Sequence, residues 1–364
     1  MLAAGAYGGG MTSGPTSAVD WGYARAIAMK VSGDGPQIPL DEARQAVHEL
    51  RESAQRAIPL IAARTGLDAP AAPDAVQVVD RAGWVDANAL AFASLIEPLT
   101  ERLRARSNAP TTAIGSKVAG AEIGAALGFL SSKVLGQYEL FTASPDIPPR
   151  LLLVAPNIVH VERELDVSPS DFRLWVCLHE ETHRVQFTAV PWLGPWLREQ
   201  ITEYLNNVQL DAGQLVPRLK QLVSAVVGAL RGVDVVSILE ETMTDDERAL
   251  LHRLTGVMSL LEGHADVMMD EVGPEVLPTV STLRDRMQRR RTNPSGRDAF
   301  VRRLLGMESK LAQYRDGANF VRAVIDEVGL EGFNTVWTSP ETLPTRDELH
   351  NAKSWIARVS PPAS

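Results

Sequence analysis

The chain of 364 residues is long enough for one large domain or two ordinary ones, and its 45% hydrophobic and 22% charged residues are typical of a globular protein. Its formal net charge of −9 argues against nucleic acid as a main partner, because phosphate backbones are bound through an excess of lysine and arginine. A single cysteine, Cys177, excludes a disulfide framework within the chain and favours a reducing compartment, so we expect a cytoplasmic protein.

Two segments could be considered as a signal peptide or a membrane span, but their composition fits neither. Residues 1–17 are rich in Gly, Ala, Ser and Thr but lack the basic and apolar regions of a signal peptide, so we interpret them as a disordered leader. Residues 113–135 are the most apolar stretch, but charged residues interrupt them, which favours a buried helix over a membrane span. We interpret the arginine cluster at 284–291 as a solvated face or loop.

Helical periodicity dominates the rest of the chain. Within this pattern we predict Asp86 as an N-cap, and residues 66–84 and 273–296 as long loops. The predicted helices lie near residues 19–31, 40–65, 86–106, 113–135, 168–187, 195–209, 213–231, 244–272, 297–314, 317–329 and 345–358.

Three short segments instead have the composition of β-strands. Residues 150–154 are continuously apolar after two prolines, residues 158–162 are predicted to extend or pair with them, and residues 76–79 are a third candidate. The predicted fold class is therefore mainly α with a small β element. Because neither a repeat nor a low-complexity linker divides residues 18–358, we expect them to form a single large, mostly helical domain.

The residues His179-Glu180-Glu181-Thr182-His183 form an HExxH pattern. On a helix this spacing places two imidazoles one turn apart, with a carboxylate beside them. Two such histidines can hold one zinc ion, and the glutamate can activate a water bound to that ion. The pattern therefore predicts a metal site on this helix.

The helix that carries the pattern has a clear predicted start. Ser168 can act as its N-cap and Pro169 suits its first position, and we expect it to end near Phe187. The two histidines continue an apolar stripe that begins at Phe172, so they are predicted to point inward. Cys177, on the same helix, is interpreted as a small buried residue rather than a nucleophile.

A second helix offers a third ligand. It is predicted to begin at Thr244, within a capping-box sequence, and to end before the Gly-Pro dipeptide at 273–274. Glu262 shares its apolar face with Asp266, one turn later, and a buried carboxylate without a partner is costly. Gly263 costs about 1 kcal/mol against alanine in mid-helix, which is explained if something must approach the helix closely there.

Spacing alone leaves more than one choice for the third ligand. Glu262 ranks first, His264 second and Asp266 third, because a regular helix turns His264 away from the other two. The competing interpretation is that Glu262 and Asp266 form ion pairs with arginines.

HExxH followed by Glu262 and, four residues later, Asp266 resembles the gluzincin pattern of zinc metallopeptidases. The resemblance implies that His179, His183 and Glu262 bind zinc and that Glu180 is the general base. It also implies that Asp266 supports an imidazole, that of His179, by fixing its tautomer and orientation.

Further segments along the chain carry narrower motifs. They are Val19-Asp20-Trp21, residues 79–86 (Val-Asp-Arg-Ala-Gly-Trp-Val-Asp), residues 134–138 (Val-Leu-Gly-Gln-Tyr), residues 178–187 around the HExxH pattern, and residues 262–266 (Glu-Gly-His-Ala-Asp). Together they resemble a zincin-like family of actinobacteria whose members are labelled hydrolases or proteins associated with deazaflavin-coenzyme biosynthesis. The resemblance implies a zincin-like metallopeptidase fold with an N-terminal helical part (18–145), a metal-site part (146–275) and a C-terminal helical part (297–358).

The function predicted from these patterns is a zinc-dependent hydrolase that cleaves an amide bond. Zinc is the expected cofactor and a peptide or protein the expected substrate, with no nucleic-acid or membrane partner; the sequence does not indicate an oligomeric state. Hydrolysis also needs a donor for the oxyanion, for which His264, Tyr204 and His160 are candidates. Glu181 departs from active metallopeptidases, in which this position is usually uncharged, and we expect it to be exposed.

Two other functions stay open at this stage. One is a non-catalytic zincin-like scaffold for a partner protein, with a structural or vestigial metal site; it is favoured if His264 or Asp266 completes a sphere of four protein ligands. The other is a binding module for a deazaflavin cofactor or a biosynthetic enzyme, although the sequence has no glycine-rich phosphate loop of the usual kinds.

Overall fold

Helices account for most of the protein, and a small sheet accompanies them. The computed structural model describes residues 18–70, 75–106, 113–142, 147–207, 244–292 and 311–359. The helices are α1 (Trp21–Ser32), α2 (Leu40–Thr65), α3 (Arg81–Arg106), α4 (Ala113–Ser131), α5 (Ala155–Glu164), α6 (Pro169–Ala189), α7 (Leu193–Asn207), α8 (Asp245–Asp270), α9 (Val280–Thr292), α10 (Leu311–Asn334), α11 (Arg346–Leu349) and α12 (Ala352–Val359). The strands are β1 (Val76–Val79), β2 (Gly136–Tyr138) and β3 (Leu151–Val154). The fold class is mainly α with a small β element, as predicted.

Contacts divide the chain into two compact units. Among the described residues, the first unit contains residues 18–44 and 77–160. The second unit contains residues 45–70, 75–76, 161–207, 244–292 and 311–359. Both helices with candidate ligands, α6 and α8, belong to the second unit. The interpretation of residues 18–358 as a single domain stays a prediction.

The sheet has the order β1-β3-β2, with β3 in the centre. β3 pairs antiparallel with β2, so that Gly136 lies opposite Leu153 and Tyr138 lies opposite Leu151. All four residues of β3 are buried, which explains why its sequence is continuously apolar. The strand predictions at 76–79 and 150–154 are therefore confirmed, whereas β2 was not predicted.

The glycine-rich helix α4 packs closely against α1. At Gly120, Gly124 and Gly128 a Cβ atom would collide with the backbone of α1 or of Asp20 just before it, so the absence of a side chain permits this contact. The apolar composition of α4 thus serves helix packing within the first unit. In the described ranges no helix combines the length and apolar character needed to cross a bilayer.

The start of α3 differs from the prediction. The helix begins at Arg81, not after Asp86, and Asp80 just before it accepts a hydrogen bond from the N–H of Gly83 at 2.7 Å. Asp86 lies inside the helix, where its Oδ2 accepts a hydrogen bond from Nη2 of Arg25 at 2.9 Å. The prediction failed because both aspartates suit a helix start and the choice depends on an arginine from another helix.

Two further segments are helices where strand or loop was predicted. Residues 158–162 belong to α5 rather than to a strand, and the side chain of Asn157 donates to the carbonyl oxygens of Ser131 and Val134 at 2.7 and 2.6 Å. These tertiary bonds hold the first turn of α5, and local composition does not reveal them.

The predicted loop 273–296 contains α9, and its described arginines are exposed or half-buried, which agrees with the predicted solvated face. Several of them also form ion pairs. These pairs include Arg284 with Asp270 and Arg290 with Glu164.

Some predictions lie outside the described residues. These are the leader 1–17, the helix near 213–231 and most of the helix near 297–314.

α8 begins and packs as its sequence predicts. The side chains of Thr244 and Glu247 form a reciprocal capping box at its start. At Gly263 a Cβ atom would collide with the backbone of Gly317, so α8 and α10 meet where neither has a side chain. This contact is the close approach that a mid-helix glycine indicates, and it seats α10 directly on the helix that carries Glu262.

Adding a methyl group at this contact should destabilise the fold. We expect Gly263→Ala to lower the free energy of unfolding by about 1–3 kcal/mol, because the backbone of Gly317 cannot move aside. Gly256→Ala on the same helix is the matched control: its Cβ would lie 3.8 Å from the nearest atom, so the better helix propensity should stabilise by up to about 1 kcal/mol. Urea denaturation measures both, and equal effects would contradict this account.

Candidate metal centre

Helix α6 carries the HExxH residues, and several hydrogen bonds hold its N-terminal end in place. Ser168 caps it by accepting a hydrogen bond from the N–H of Asp171 at 3.5 Å, and Pro169 occupies the first position. The Asp171 carboxylate also accepts a hydrogen bond from the hydroxyl of Thr279 at 2.6 Å. The predicted cap and helix are confirmed, and α6 ends at Ala189, two residues beyond the predicted end.

Three side chains from α6 and α8 form a triangle of donor atoms. The Nε2 atoms of His179 and His183 lie 3.2 Å apart. Each lies 3.5 Å from a carboxylate oxygen of Glu262. Donors bound tetrahedrally at 2.0–2.1 Å from one ion are separated by roughly 3.3 Å, so these distances fit a shared metal ion. His179, His183 and Glu262 could therefore bind a metal, and Glu262 is the candidate third ligand that lies within this triangle.

Asp266 lies on the far side of His179 from the triangle. Its Oδ1 is 3.8 Å from Nδ1 of His179, the ring nitrogen that does not face the other donors. A carboxylate there favours a proton on Nδ1 and leaves the Nε2 lone pair free for a metal. The position agrees with the predicted support of the His179 imidazole, although the distance exceeds that of a direct hydrogen bond.

The charge around the triangle is strongly negative. Burial raises the pKa of Glu180 to about 7, and the nearby charge of Glu262 adds to that rise although the charge of His179 opposes it. Burial acts to lower the pKa of His179, but the hydrogen bond and charge of Glu262, with smaller effects from Glu180 and Asp266, raise it to about 9. The carboxylates thus favour a positive charge at the imidazole, and a metal cation could supply it in place of a proton.

His183 has a different environment. Its pKa is lowered, with burial as the main cause, so the neutral imidazole that a metal requires is favoured. Its Nδ1 lies 2.9 Å from Oε1 of Gln186, a fully buried residue one turn further along α6. The sequence reasoning assigned no role to Gln186; its spacing of three residues from His183 is the signal that could have found it.

His264 does not join the donor triangle. Its ring is fully buried and stacks on Phe333, with a centroid distance of 5.4 Å, while Trp337 packs against it edge-on at 5.3 Å. Burial is the main cause that lowers the pKa of His264 to about 3, so the ring is neutral. The alternative of His264 as a ligand is therefore not supported by its position.

The two other candidate oxyanion donors occupy different surroundings. Tyr204 is buried on α7, in the unit that contains the triangle. His160 is exposed on α5 and belongs to the first unit.

Glu181 is buried, which corrects the expectation that it is exposed. Its carboxylate accepts two hydrogen bonds from the guanidinium of Arg184, at 2.8 and 2.6 Å, and both side chains are 2% exposed. Arg184 also donates to the carbonyl oxygen of Pro70 at 2.7 Å. The unusual charge in the HExxH pattern is thus neutralised by an arginine of the same helix.

Cys177 is fully buried, as predicted, and its Sγ lies 3.7 Å from the carbonyl oxygen of Leu50. Burial, followed by the charges of Glu180 and Glu181, raises the pKa of its thiol. A buried thiol that resists ionisation is not a nucleophile.

A family model of zincin-like metallopeptidases matches residues 19–356 of the chain. The chain belongs to the zincin-like metallopeptidase family. A solved structure from Chloroflexus aurantiacus, described as a "putative hydrolase with a novel fold", is similar to this zincin-like chain, with 31% sequence identity and a TM-score of 0.69. The match covers 95% of this chain and 100% of the other. A comparison with curated proteins gave no match. The family and the solved structure both favour a hydrolase, and the narrower actinobacterial grouping stays a prediction.

In this zincin-like chain, the zinc affinities of two variants should distinguish a metal ligand, Glu262, from a nearby residue that is not a ligand, His264. Glu262→Ala leaves two imidazoles and should weaken zinc binding by about 100-fold or more, since even residues that only support ligands contribute about 10- to 100-fold. His264→Phe keeps an aromatic ring between Phe333 and Trp337 and should lose far less zinc affinity than Glu262→Ala, because it leaves all three donor groups in place. Competition with a chromogenic chelator measures both affinities. Zinc loss in His264→Phe but not in Glu262→Ala would reverse the assignment.

Breaking the buried ion pair should cost stability. Arg184→Met leaves the Glu181 carboxylate buried without a cation and should lower the free energy of unfolding by about 3–5 kcal/mol. The double variant Glu181→Leu/Arg184→Met removes both charges and should be much less destabilised. Urea denaturation followed by circular dichroism compares them. The charge-balance explanation is wrong if the double variant is as unstable as the single one.

Proposed function

We propose that this protein is a zinc-dependent hydrolase that cleaves an amide bond, with a peptide or protein as its substrate. The observation that carries the proposal is the triangle of His179, His183 and Glu262 donor atoms, with Glu180 adjacent in the same helix. Two imidazoles and one carboxylate at tetrahedral spacing suit zinc, and catalytic zinc sites commonly have three protein ligands of this kind.

Zinc, when bound there, would supply a Lewis acid that makes a water acidic near neutral pH and polarises a carbonyl group. Glu180 is the general base in this proposal: its carboxylate takes a proton from the attacking water and delivers it to the nitrogen of the departing amine. A residue that both accepts and returns a proton is most effective with a pKa near the working pH, and the pKa of Glu180 is raised to about 7.

The surroundings favour an enzyme over a structural metal site. A structural zinc site is closed by four protein ligands. In the described part of the chain three donor groups meet, and the ring of His264 packs against Phe333 and Trp337 instead. The side chains of His179 and His183 are 17% and 13% exposed, so the triangle is not completely sealed from solvent.

Glu180→Gln tests the proposed base. The amide cannot accept a proton, so we expect kcat for cleavage of a diverse peptide library to fall by about 100- to 10,000-fold while one zinc per chain is retained. Mass spectrometry of the products and metal analysis of the purified protein give the two readouts.

Glu271→Gln, which changes an exposed carboxylate at the end of α8, is the matched control and should cleave like the unchanged protein. If the unchanged protein cleaves the library no better than Glu180→Gln, the peptidase proposal is wrong.

A further inference from the structure

Gln186 lies at the centre of a buried hydrogen-bond relay between α6 and α8. Its Oε1 is 2.9 Å from Nδ1 of His183. Its Nε2 is 2.8 Å from the carbonyl oxygen of Leu261 and 2.9 Å from Nδ1 of His264. Gln186 and His264 are both fully buried, so no solvent competes for these bonds.

The carbonyl of Leu261 fixes the orientation of the Gln186 amide. A carbonyl oxygen only accepts hydrogen bonds, so the atom facing it must be the NH2 group. A flipped amide would place two oxygens against each other and would lose this bond. The Oε1 atom must therefore face His183.

The orientation of one amide then sets the tautomers of two histidines. Because Oε1 only accepts, Nδ1 of His183 must carry the proton, and its Nε2 has a free lone pair. That Nε2 points at His179 and Glu262, from which it is separated by 3.2 and 3.5 Å. The second hydrogen of the Gln186 amide is directed at Nδ1 of His264, which must accept it.

The geometry points to Gln186 as a positioning residue that locks His183 in its metal-binding tautomer, with Leu261 and His264 as its anchors. In this proposal His264 is neither a metal ligand nor an oxyanion donor; it holds the side-chain amide of Gln186 in place. Its ring is held by Phe333 and Trp337, and its Nδ1 holds the amide. The two imidazoles of the candidate metal site have different groups near their Nδ1 atoms. The Asp266 carboxylate of α8 lies near Nδ1 of His179, and the neutral Gln186 amide of α6 lies near Nδ1 of His183.

This inference rests on the proposed metal site, but its central claim is testable without metal. In the metal-free protein labelled with [15N]histidine, we expect His183 to be predominantly the Nδ1–H tautomer and His264 the Nε2–H tautomer. Two-dimensional 15N–1H spectra distinguish the tautomers, and His183→Asn and His264→Phe variants assign the signals among the seven histidines. His183 found as the Nε2–H tautomer would overturn the inference whether or not zinc binds.

Zinc affinity gives the second readout. Gln186→Met keeps the size of the side chain but removes every hydrogen bond, and it should weaken zinc binding by about 10- to 100-fold. Gln186→Glu restores an acceptor for His183 and should bind zinc more tightly than Gln186→Met. Gln200→Met is the matched control, because Gln200 is also buried in this unit but accepts its hydrogen bond from Arg253.

The outcomes separate this inference from the proposed function. An unchanged protein that binds no zinc contradicts the proposed function, and the tautomer spectra still decide the relay. If the unchanged protein binds zinc but a folded Gln186→Met binds it within about twofold, the positioning role is wrong, because supporting residues contribute more than that. If Gln200→Met lost as much zinc affinity as Gln186→Met, the effect would reflect general destabilisation and not the positioning of His183, and the inference would be overturned.

Discussion

The negative charge gathered between α6 and α8 is the constraint on which the candidate site depends. Glu180, Glu262 and Asp266 face two imidazoles in a largely buried environment. Charges in such surroundings are tolerated only when opposite charges or hydrogen bonds compensate them. The structure meets this requirement with two inward histidines whose Nε2 atoms converge on Glu262, an arrangement in which a single cation could contact all three of these groups.

The position of α10 ties this charged cluster to the packing of the second unit. Gly263 and Gly317 let α8 and α10 approach to backbone contact one residue after Glu262. The aromatic residues that follow along the chain, Phe333 and Trp337, then enclose His264. The crossing with α10 therefore fixes the packing of α8 right beside the residue that faces the two histidines.

The parts of the site that sequence could predict are those set by local periodicity. The spacing of His179 and His183 and the shared face of Glu262 and Asp266 follow from helix geometry alone, and the structure places these four side chains together. The same holds for the capped starts of α6 and α8.

The predictions that failed depended on tertiary partners that the local sequence does not reveal. Asp86 pairs with Arg25 of another helix, and residues 158–162 are helical where their apolar pattern also suits a strand. Glu181 is buried because Arg184 accompanies it, and Arg184 in turn is held by a distant backbone carbonyl. Gln186 was overlooked because two of its three partners, Leu261 and His264, lie on another helix, α8.

The crossing of α8 and α10 also has a consequence for the order of events during synthesis. The HExxH helix is complete long before the ribosome has made Glu262, and the residues that enclose His264 follow later still. Of the three donor residues in the candidate metal site, a nascent chain at the earlier stage contains the two histidines but not Glu262. The three candidate donors can therefore come together only after α8 has been made, and a chain truncated before α10 would keep them without the residues that enclose His264.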